Sequence, residues 1–299
     1  MLERLLTEQA NPASDQIDRL STLDMLAVIN REDATVAEAV RLELPRIAQA
    51  VDGISAALAR GGRLIYIGAG TSGRLGVLDA SECNPTYSTP LEMVQGIIAG
   101  GYDALYRPTE ATEDNPGSGV ADVRARDITS ADVICGIAAS GRTPYVLGAV
   151  RYARSLGSLT VGVSCVPDSQ LAAEVDIAIT PVTGPEVVTG STRMKAGTAT
   201  KLVLNMLTTG AMIRLGMTYG NRMVNVQPRN SKLIDRARRI IGSAVPADPD
   251  TAATLLEASG HSVRVAIVMG RLGIGRTEAE QRLAQAGNVV ARALGEKEE

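Results

Sequence analysis

The stretch Arg63-Leu64-Ile65-Tyr66-Ile67-Gly68-Ala69-Gly70-Thr71-Ser72-Gly73-Arg74-Leu75-Gly76 decides the fold. Leu64–Ile67 is a short apolar run of strand length, Gly68, Gly70 and Gly73 follow at once, and Leu75–Ala80 reads as helix. Strand, glycine turn, helix places bare backbone N–H groups at a helix N-terminus, where the dipole is positive and an anion is welcome. The glycines permit positive φ and close approach of a ligand. Thr71 and Ser72 add two hydroxyls that can donate to a phosphate oxygen. The spacing Gly68-x-Gly70-x-x-Gly73 also fits the dinucleotide fingerprint, which wants an acidic residue about 20 positions on. The second strand, Met93–Ile98, ends in Ala99-Gly100-Gly101 with no carboxylate before Asp103. The turn is therefore read as a site for a phosphorylated small molecule, ahead of a dinucleotide or a tight turn that binds nothing.

Working outward, residues 1–60 read as helical, with periodic apolar positions over Asp15–Asn30 and Thr35–Arg60 and a kink or break expected at Pro45. Gly61-Gly62 releases the chain into the first of five strand candidates: Leu64–Ile67, Met93–Ile98, Val133–Ala138, Leu159–Ser164 and Ile177–Thr180. Helical stretches separate them, clearest at Thr143–Leu156. That alternation predicts an α/β fold, a five-stranded parallel sheet flanked by helices, with the flavodoxin-like strand order. Such sheets bind ligands at the carboxyl ends of their strands. Polar glycine turns are expected there at 68–73, at Ala139-Ser140-Gly141-Arg142-Thr143 and at Thr189-Gly190-Ser191-Thr192-Arg193. A long, mostly buried helix is predicted over Thr192–Leu215 and a polar hinge over Tyr219–Ser231. A small bundle follows, with helices at Leu233–Val245, Thr251–Ser259, Val263–Leu272 and Thr277–Leu294, the third at its centre.

Composition narrows the classes. The 299 residues are 45% hydrophobic but 2% aromatic, with no Trp and no Phe, so the core must come from Ala, Val, Leu, Ile and Met. Net charge is −3, no basic block stands out, and the aromatic platforms of single-strand binders are missing, so no nucleic-acid role is expected. Cys83, Cys135 and Cys165 lie far apart with no C-x-x-C and read as reduced thiols of a cytosolic protein. The N-terminus carries acids and lacks the long apolar core of a signal peptide, and no uncharged apolar stretch of 18 residues suggests a membrane span.

Two motifs place carboxylates near the ligand edge. Asp79-Ala80-Ser81-Glu82-Cys83 is expected to end the helix after the first turn, and Thr109-Glu110-Ala111-Thr112-Glu113-Asp114-Asn115 lies in the connection after the second strand. A pair of carboxylates can divide acid and base roles; solvated surface acids are the plainer reading of each. His261 is the sole histidine, so a common zinc site is disfavoured, and a Ser-His-Asp triad would lack its G-x-S-x-G elbow. Glu82 beside Cys83 would raise the thiol's pKa, against a cysteine nucleophile. Arg193 and Lys195, at the start of the long helix, could each neutralise a phosphate or simply lie at the surface.

The run Ile67-Gly68-Ala69-Gly70-Thr71-Ser72-Gly73-Arg74-Leu75-Gly76, leading into Leu78-Asp79-Ala80-Ser81-Glu82-Cys83, resembles the N-acetylmuramic acid 6-phosphate etherases. Ala138-Ala139-Ser140-Gly141-Arg142-Thr143-Pro144-Tyr145 and Thr189-Gly190-Ser191-Thr192-Arg193-Met194-Lys195-Ala196-Gly197-Thr198 match the same family, and the resemblance runs from Ile17 to the C-terminal bundle. One departure is visible: Asn84 stands where the family usually has a proline after the Glu-Cys pair. The resemblance implies the sugar isomerase (SIS) fold, related to the glucokinase regulatory protein. It divides the chain into an N-terminal helical segment (1–50), a SIS sugar-phosphate-binding domain (51–220) and a C-terminal helical bundle (230–299). It further implies cleavage of the D-lactyl ether of a sugar 6-phosphate in cell-wall sugar recycling, no cofactor, no metal, and a cytoplasmic homodimer. By the same resemblance Glu82 is the acid at the lactyl oxygen and Glu113 the base at C2. The phosphate would be held by Gly70, Thr71, Ser72, Ser140 and Thr143, with Ser191 and Lys195 beside them. A sugar-phosphate-sensing regulator on the same fold is the alternative.

Overall fold

The computed structural model describes residues 6–107, 112–228 and 230–296. By contact density the chain divides into two compact units: Met1–Ser81 with Leu91–Gly210, and Glu82–Pro90 with Ala211–Glu299.

The first unit opens with 3-10 turns at Leu6–Glu8, Pro12–Ser14 and Ile17–Arg19, then helices α1 (Thr22–Asp33), α2 (Val36–Leu42) and α3 (Leu44–Ala59). The helix expected from Asp15 begins later because Ser21 caps it, its hydroxyl accepting from the Asp24 N–H at 3.2 Å. The break expected at Pro45 is present: α3 restarts at Leu44 with Pro45 in its first turn, where no N–H is needed. Strands β1 (Leu64–Gly68), β2 (Val94–Ile98), β3 (Val133–Ile137), β4 (Leu159–Val163) and β5 (Ile177–Ile179) form one parallel sheet in the order β2-β1-β3-β4-β5, as the sequence predicts. Gly68 pairs with Ile98 on one side and Ile137 on the other, so the turns after β1 and β3 leave the same sheet edge side by side. Every residue of β1 and β3 is buried. Ile65, Ile67, Ile134, Val146, Val150 and Leu171 belong to one core cluster beneath them.

Helices α4 (Gly70–Tyr87), α5 (Pro116–Arg124), α6 (Pro144–Ser155), α7 (Gln170–Glu174) and α8 (Lys195–Arg214), with a 3-10 turn at Tyr102–Leu105, complete the element order of the described residues up to residue 214. Two expectations need correction. The helix after β1 starts at Gly70, not Leu75, and it continues through Pro85 to Tyr87, so Glu82 lies within it and not at its end. Tertiary packing overrides the weak helix propensity of glycine here. A Cβ on Gly73 would lie 2.6 Å from Ile98 Cγ1, so the bare backbone lets the first turn of α4 rest on the sheet.

In the second unit α9 (Ser231–Ala244), α10 (Pro249–Ala258), α11 (Val263–Leu272), α12 (Arg276–Gln285) and α13 (Val290–Ala293) share one core. The central position expected for the third piece holds: Val263, Ala266, Ile267 and Val268 of α11 are fully buried. The single helix expected over Thr277–Leu294 is two, because Gly287 and Asn288 take φ of 63° and 64° between them. The stretch read as a polar hinge sends Val224 and Val226 into this core. Among the described residues no helix is long and apolar enough to cross a membrane.

Candidate active site

The first part of the site is built by the turns at the carboxyl edge of the sheet. A Cβ on Gly68 would lie 2.7 Å from Gly73 N, so α4 can begin this close to β1 only if both positions are glycine. Gly70 itself has φ of +52°. Thr71 and Ser72 follow in the first turn of α4, both half-buried. The turn after β3 is held rigidly, with Cys165 N donating to Ala139 O at 2.8 Å and Leu171 N to Gly141 O at 2.9 Å. It presents Ser140 and Thr143, both half-buried; Thr143 precedes α6 without capping it through its hydroxyl. Among the described residues the hydroxyls of Thr71, Ser72, Ser140 and Thr143 have no protein partner, which leaves four donors at two adjacent helix starts.

Glu113 joins this group. Its Oε1 lies 3.4 Å from where a Cβ on Gly70 would be, so the carboxylate reaches the glycine turn. Its backbone carbonyl accepts from Tyr145 N at 3.0 Å, which fastens the connection to the first turn of α6. Arg74 holds the start of that connection, donating from Nη2 to Ala104 O at 2.6 Å and from Nε to Leu105 O at 3.1 Å. Glu110, in the same motif, lies outside the described residues.

The start of α8 also belongs to this edge: the Cβ position of Gly197 is 3.7 Å from Thr71 Cγ2. Ser191 is half-buried there. Lys195 is buried, and its Nζ lies 2.7 Å from Glu32 Oε2 of α1. The hydrogen bond from Lys195, helped by one from Asn11 and opposed by burial, holds the Glu32 carboxyl below the usual range. Lys195 is therefore a cation whose charge is already met, a fact its sequence position did not reveal. Glu186, 1% exposed, accepts from Lys195 N and Ala196 N at 2.9 Å each and caps the helix. Asp79 is a second buried acid that the motif reading left unassigned. It accepts from Tyr66 Oη at 2.9 Å and Asn205 Nδ2 at 2.7 Å, tying β1, α4 and α8 together. Burial pushes its carboxyl above the usual range despite those bonds.

Glu82 falls in the second unit, exposed on α4. It lines a cavity of about 350 Å³ with Asn84, Pro85, Thr86, Ser88, Met223, Gln227, Leu233 and Arg236, all of the same unit. Asn84 Nδ2 donates to Thr89 O, so the residue that departs from the family's proline ties the last turn of α4 to the segment that follows it. A larger cavity of about 830 Å³ beside β5, lined by Glu43, Arg46, Asp168 and Asp176, contains none of the expected site residues.

The remaining reactive groups lie elsewhere. The three cysteines are buried and form no disulfide; burial, with the charge of Glu186, pushes the Cys165 thiol up to about 12. His261 is a surface residue between α10 and α11 with φ of 63°, its Nε2 3.6 Å from Glu257 Oε2.

Residues 46–154 match the glucokinase regulatory protein N-terminal SIS domain family. A phosphoheptose isomerase from Neisseria gonorrhoeae shares the fold with a TM-score of 0.50 at 18% identity, covering 64% of this chain and 98% of its own. The N-acetylmuramic acid 6-phosphate etherase of Edwardsiella ictaluri (strain 93-146) is 54% identical over 296 residues, 99% of each chain. That of Serratia proteamaculans (strain 568) is 55% identical over 293 residues, 98% of this chain and 99% of its own. With that identity carried over nearly the full length, and with the parallel SIS-type sheet beneath it, the chain belongs to the N-acetylmuramic acid 6-phosphate etherases, a family of enzymes.

Proposed function

We propose that this protein cleaves the D-lactyl ether of N-acetylmuramic acid 6-phosphate, giving N-acetylglucosamine 6-phosphate and D-lactate. The observation that carries the proposal is the 54–55% identity, over 98–99% of the chain, to proteins named for that reaction. The SIS-family match supports a sugar-phosphate ligand, and the four unpartnered hydroxyls at two helix starts suit its phosphate. Functionally the chain has three parts: helices over 1–50, a sugar-phosphate-binding domain over 51–220 and a bundle over 230–299. It works as a cytoplasmic homodimer in cell-wall sugar recycling and takes a small molecule, with no nucleic-acid or membrane partner.

The phosphate binds at Gly70, Thr71, Ser72, Ser140 and Thr143. Ser191 and Lys195 complete the substrate-binding set, Lys195 acting from its pair with Glu32. In the open-chain sugar the C2 hydrogen is α to the C1 aldehyde, so a carboxylate can remove it; Glu113 is that base. Lactate then leaves C3 as Glu82 protonates the ether oxygen, producing an unsaturated aldehyde. Glu82, now ionised, takes a proton from the water that adds to C3, and Glu113 returns its proton to C2. One water is consumed and both acids end as they began, so the cycle needs no cofactor.

The order of steps makes the roles separable. Glu82→Gln stops lactate release but leaves exchange of the C2 hydrogen, read by NMR in deuterated water. Glu113→Gln slows both. Each loss amounts to roughly 10²–10⁴-fold, the usual contribution of a general acid or base. Exchange lost in Glu82→Gln and kept in Glu113→Gln reverses the roles. The match to a regulatory protein's SIS domain favours one other reading, a sugar-phosphate sensor. A wild-type chain that binds the sugar phosphate and releases no lactate would be that sensor.

A further inference from the structure

The cavity around Glu82 has a second charged group that the two-carboxylate scheme does not use. We propose that Arg236 recognises the carboxylate of the lactyl group; the assignment rests on the etherase reading above. Arg236 lies in the second turn of α9, whose first turn is capped by Asn230 Oδ1 accepting from Leu233 N at 2.9 Å. Ala237 and Ile241 are fully buried and fix the rotation of the helix. Leu233 and Arg236, three positions apart, share a helix face and line the cavity together. Arg236 is half-buried, and among the described residues it has no acidic partner. Its neighbour Asp235 is taken by Arg239 at 2.8 Å. The opposite wall is fixed: Ser88 Oγ donates to Asn225 O, and Asn84 Nδ2 to Thr89 O. A half-buried guanidinium without a counter-ion in a cavity calls for an anion from outside, and a carboxylate matches its fork.

The chemistry of the leaving group supplies that anion. The stereocentre of a lactyl ether carries an ether oxygen, a carboxylate and a methyl group. The cavity offers one feature for each: the Glu82 acid, the Arg236 guanidinium, and the apolar surface of Pro85, Met223 and Leu233. Contact at three different substituents reads handedness as well as charge. The product sugar phosphate has lost the lactyl group and so makes no use of Arg236.

The test compares lactate release from the natural substrate with lactamide release from its lactyl carboxamide, for the wild type, Arg236→Lys and Arg236→Met, beside melting curves. The wild type prefers the acid by roughly ten- to hundredfold, the worth of a hydrogen bond to a charged group. Arg236→Met erases that preference, while inhibition by N-acetylglucosamine 6-phosphate is unchanged. Arg236→Lys keeps part of it and remains informative even if the methionine variant folds poorly. A folded methionine variant with the wild-type preference intact, or no preference in the wild type, overturns the assignment and leaves the etherase reading standing. A wild type that cleaves neither substrate removes both.

Discussion

Lys195 shows how a residue's neighbours change its meaning. Its ammonium is buried against Glu32, 163 positions away in sequence. Lys195→Met leaves that carboxylate without its counter-ion and costs roughly 3 kcal/mol, the lower end for a broken buried pair because Glu32 keeps some solvent contact. Adding Glu32→Gln recovers part of the loss in denaturant titrations, as coupled neighbours do. Ser72→Ala with Ser140→Ala behaves oppositely: the melting curve holds and KM rises, each lost bond to phosphate being worth roughly 1.5–3 kcal/mol. An unchanged KM would move the phosphate elsewhere. The sequence made the glycine turns, Glu82 and Glu113 legible because local motifs specify them. It left Glu32, Asp79 and Arg236 unassigned because their partners or cavity are remote in sequence, and Glu186 because no local motif marks a cap set nine positions before its helix.

At the scale of elements, the sheet's entry edge is pinned by Asp132. Its carboxylate, 3% exposed, accepts from Arg63 N at 2.9 Å, Arg63 Nε at 3.0 Å and Thr129 N at 2.9 Å, locking the starts of β1 and β3. Burial works to raise its pKa, but the bonds from Arg63 and Thr129 outweigh burial and hold the carboxyl below the usual range. A carboxyl depressed in the folded state favours folding above the ordinary carboxylate value of about 3.9 and gives up that contribution as pH falls through and below it. Wild-type stability therefore drops below about pH 4, and Asp132→Asn, costing about 2 kcal/mol at neutral pH, flattens part of that drop. Equal acid slopes in the two proteins would remove Asp132 from this role. Strand positions and order followed from sequence because buried parallel strands are continuous apolar runs between turns. The start of α4 did not: Gly68, Gly70 and Gly73 signal a turn locally, and only the sheet beneath them makes a helix of that turn.

For the whole molecule, the N-terminal helices carry more apolar surface than the first unit buries. Val28 is the sole buried side chain of α1, while Leu20, Leu23 and Leu26 are 42%, 77% and 52% exposed, with Leu42 and Leu44 of the next helices also open. Contiguous apolar patches of this kind mark association surfaces, and a second copy of the chain is the expected occupant. Leu23→Glu with Leu26→Glu should yield a monomer in light scattering, with activity reduced; a wild type that is monomeric and active would refute the assembly. The excess was readable as unspent helical periodicity, although which residues stay outside required the folded unit.

The sealed thiols have a practical corollary. Cys83, Cys135 and Cys165 are all buried, so alkylating reagents should leave the native chain unmodified. One cysteine placed on the surface would then be its single labelling point, and with no tryptophan in the background an inserted indole at Leu233 would report ligand entry by its own emission.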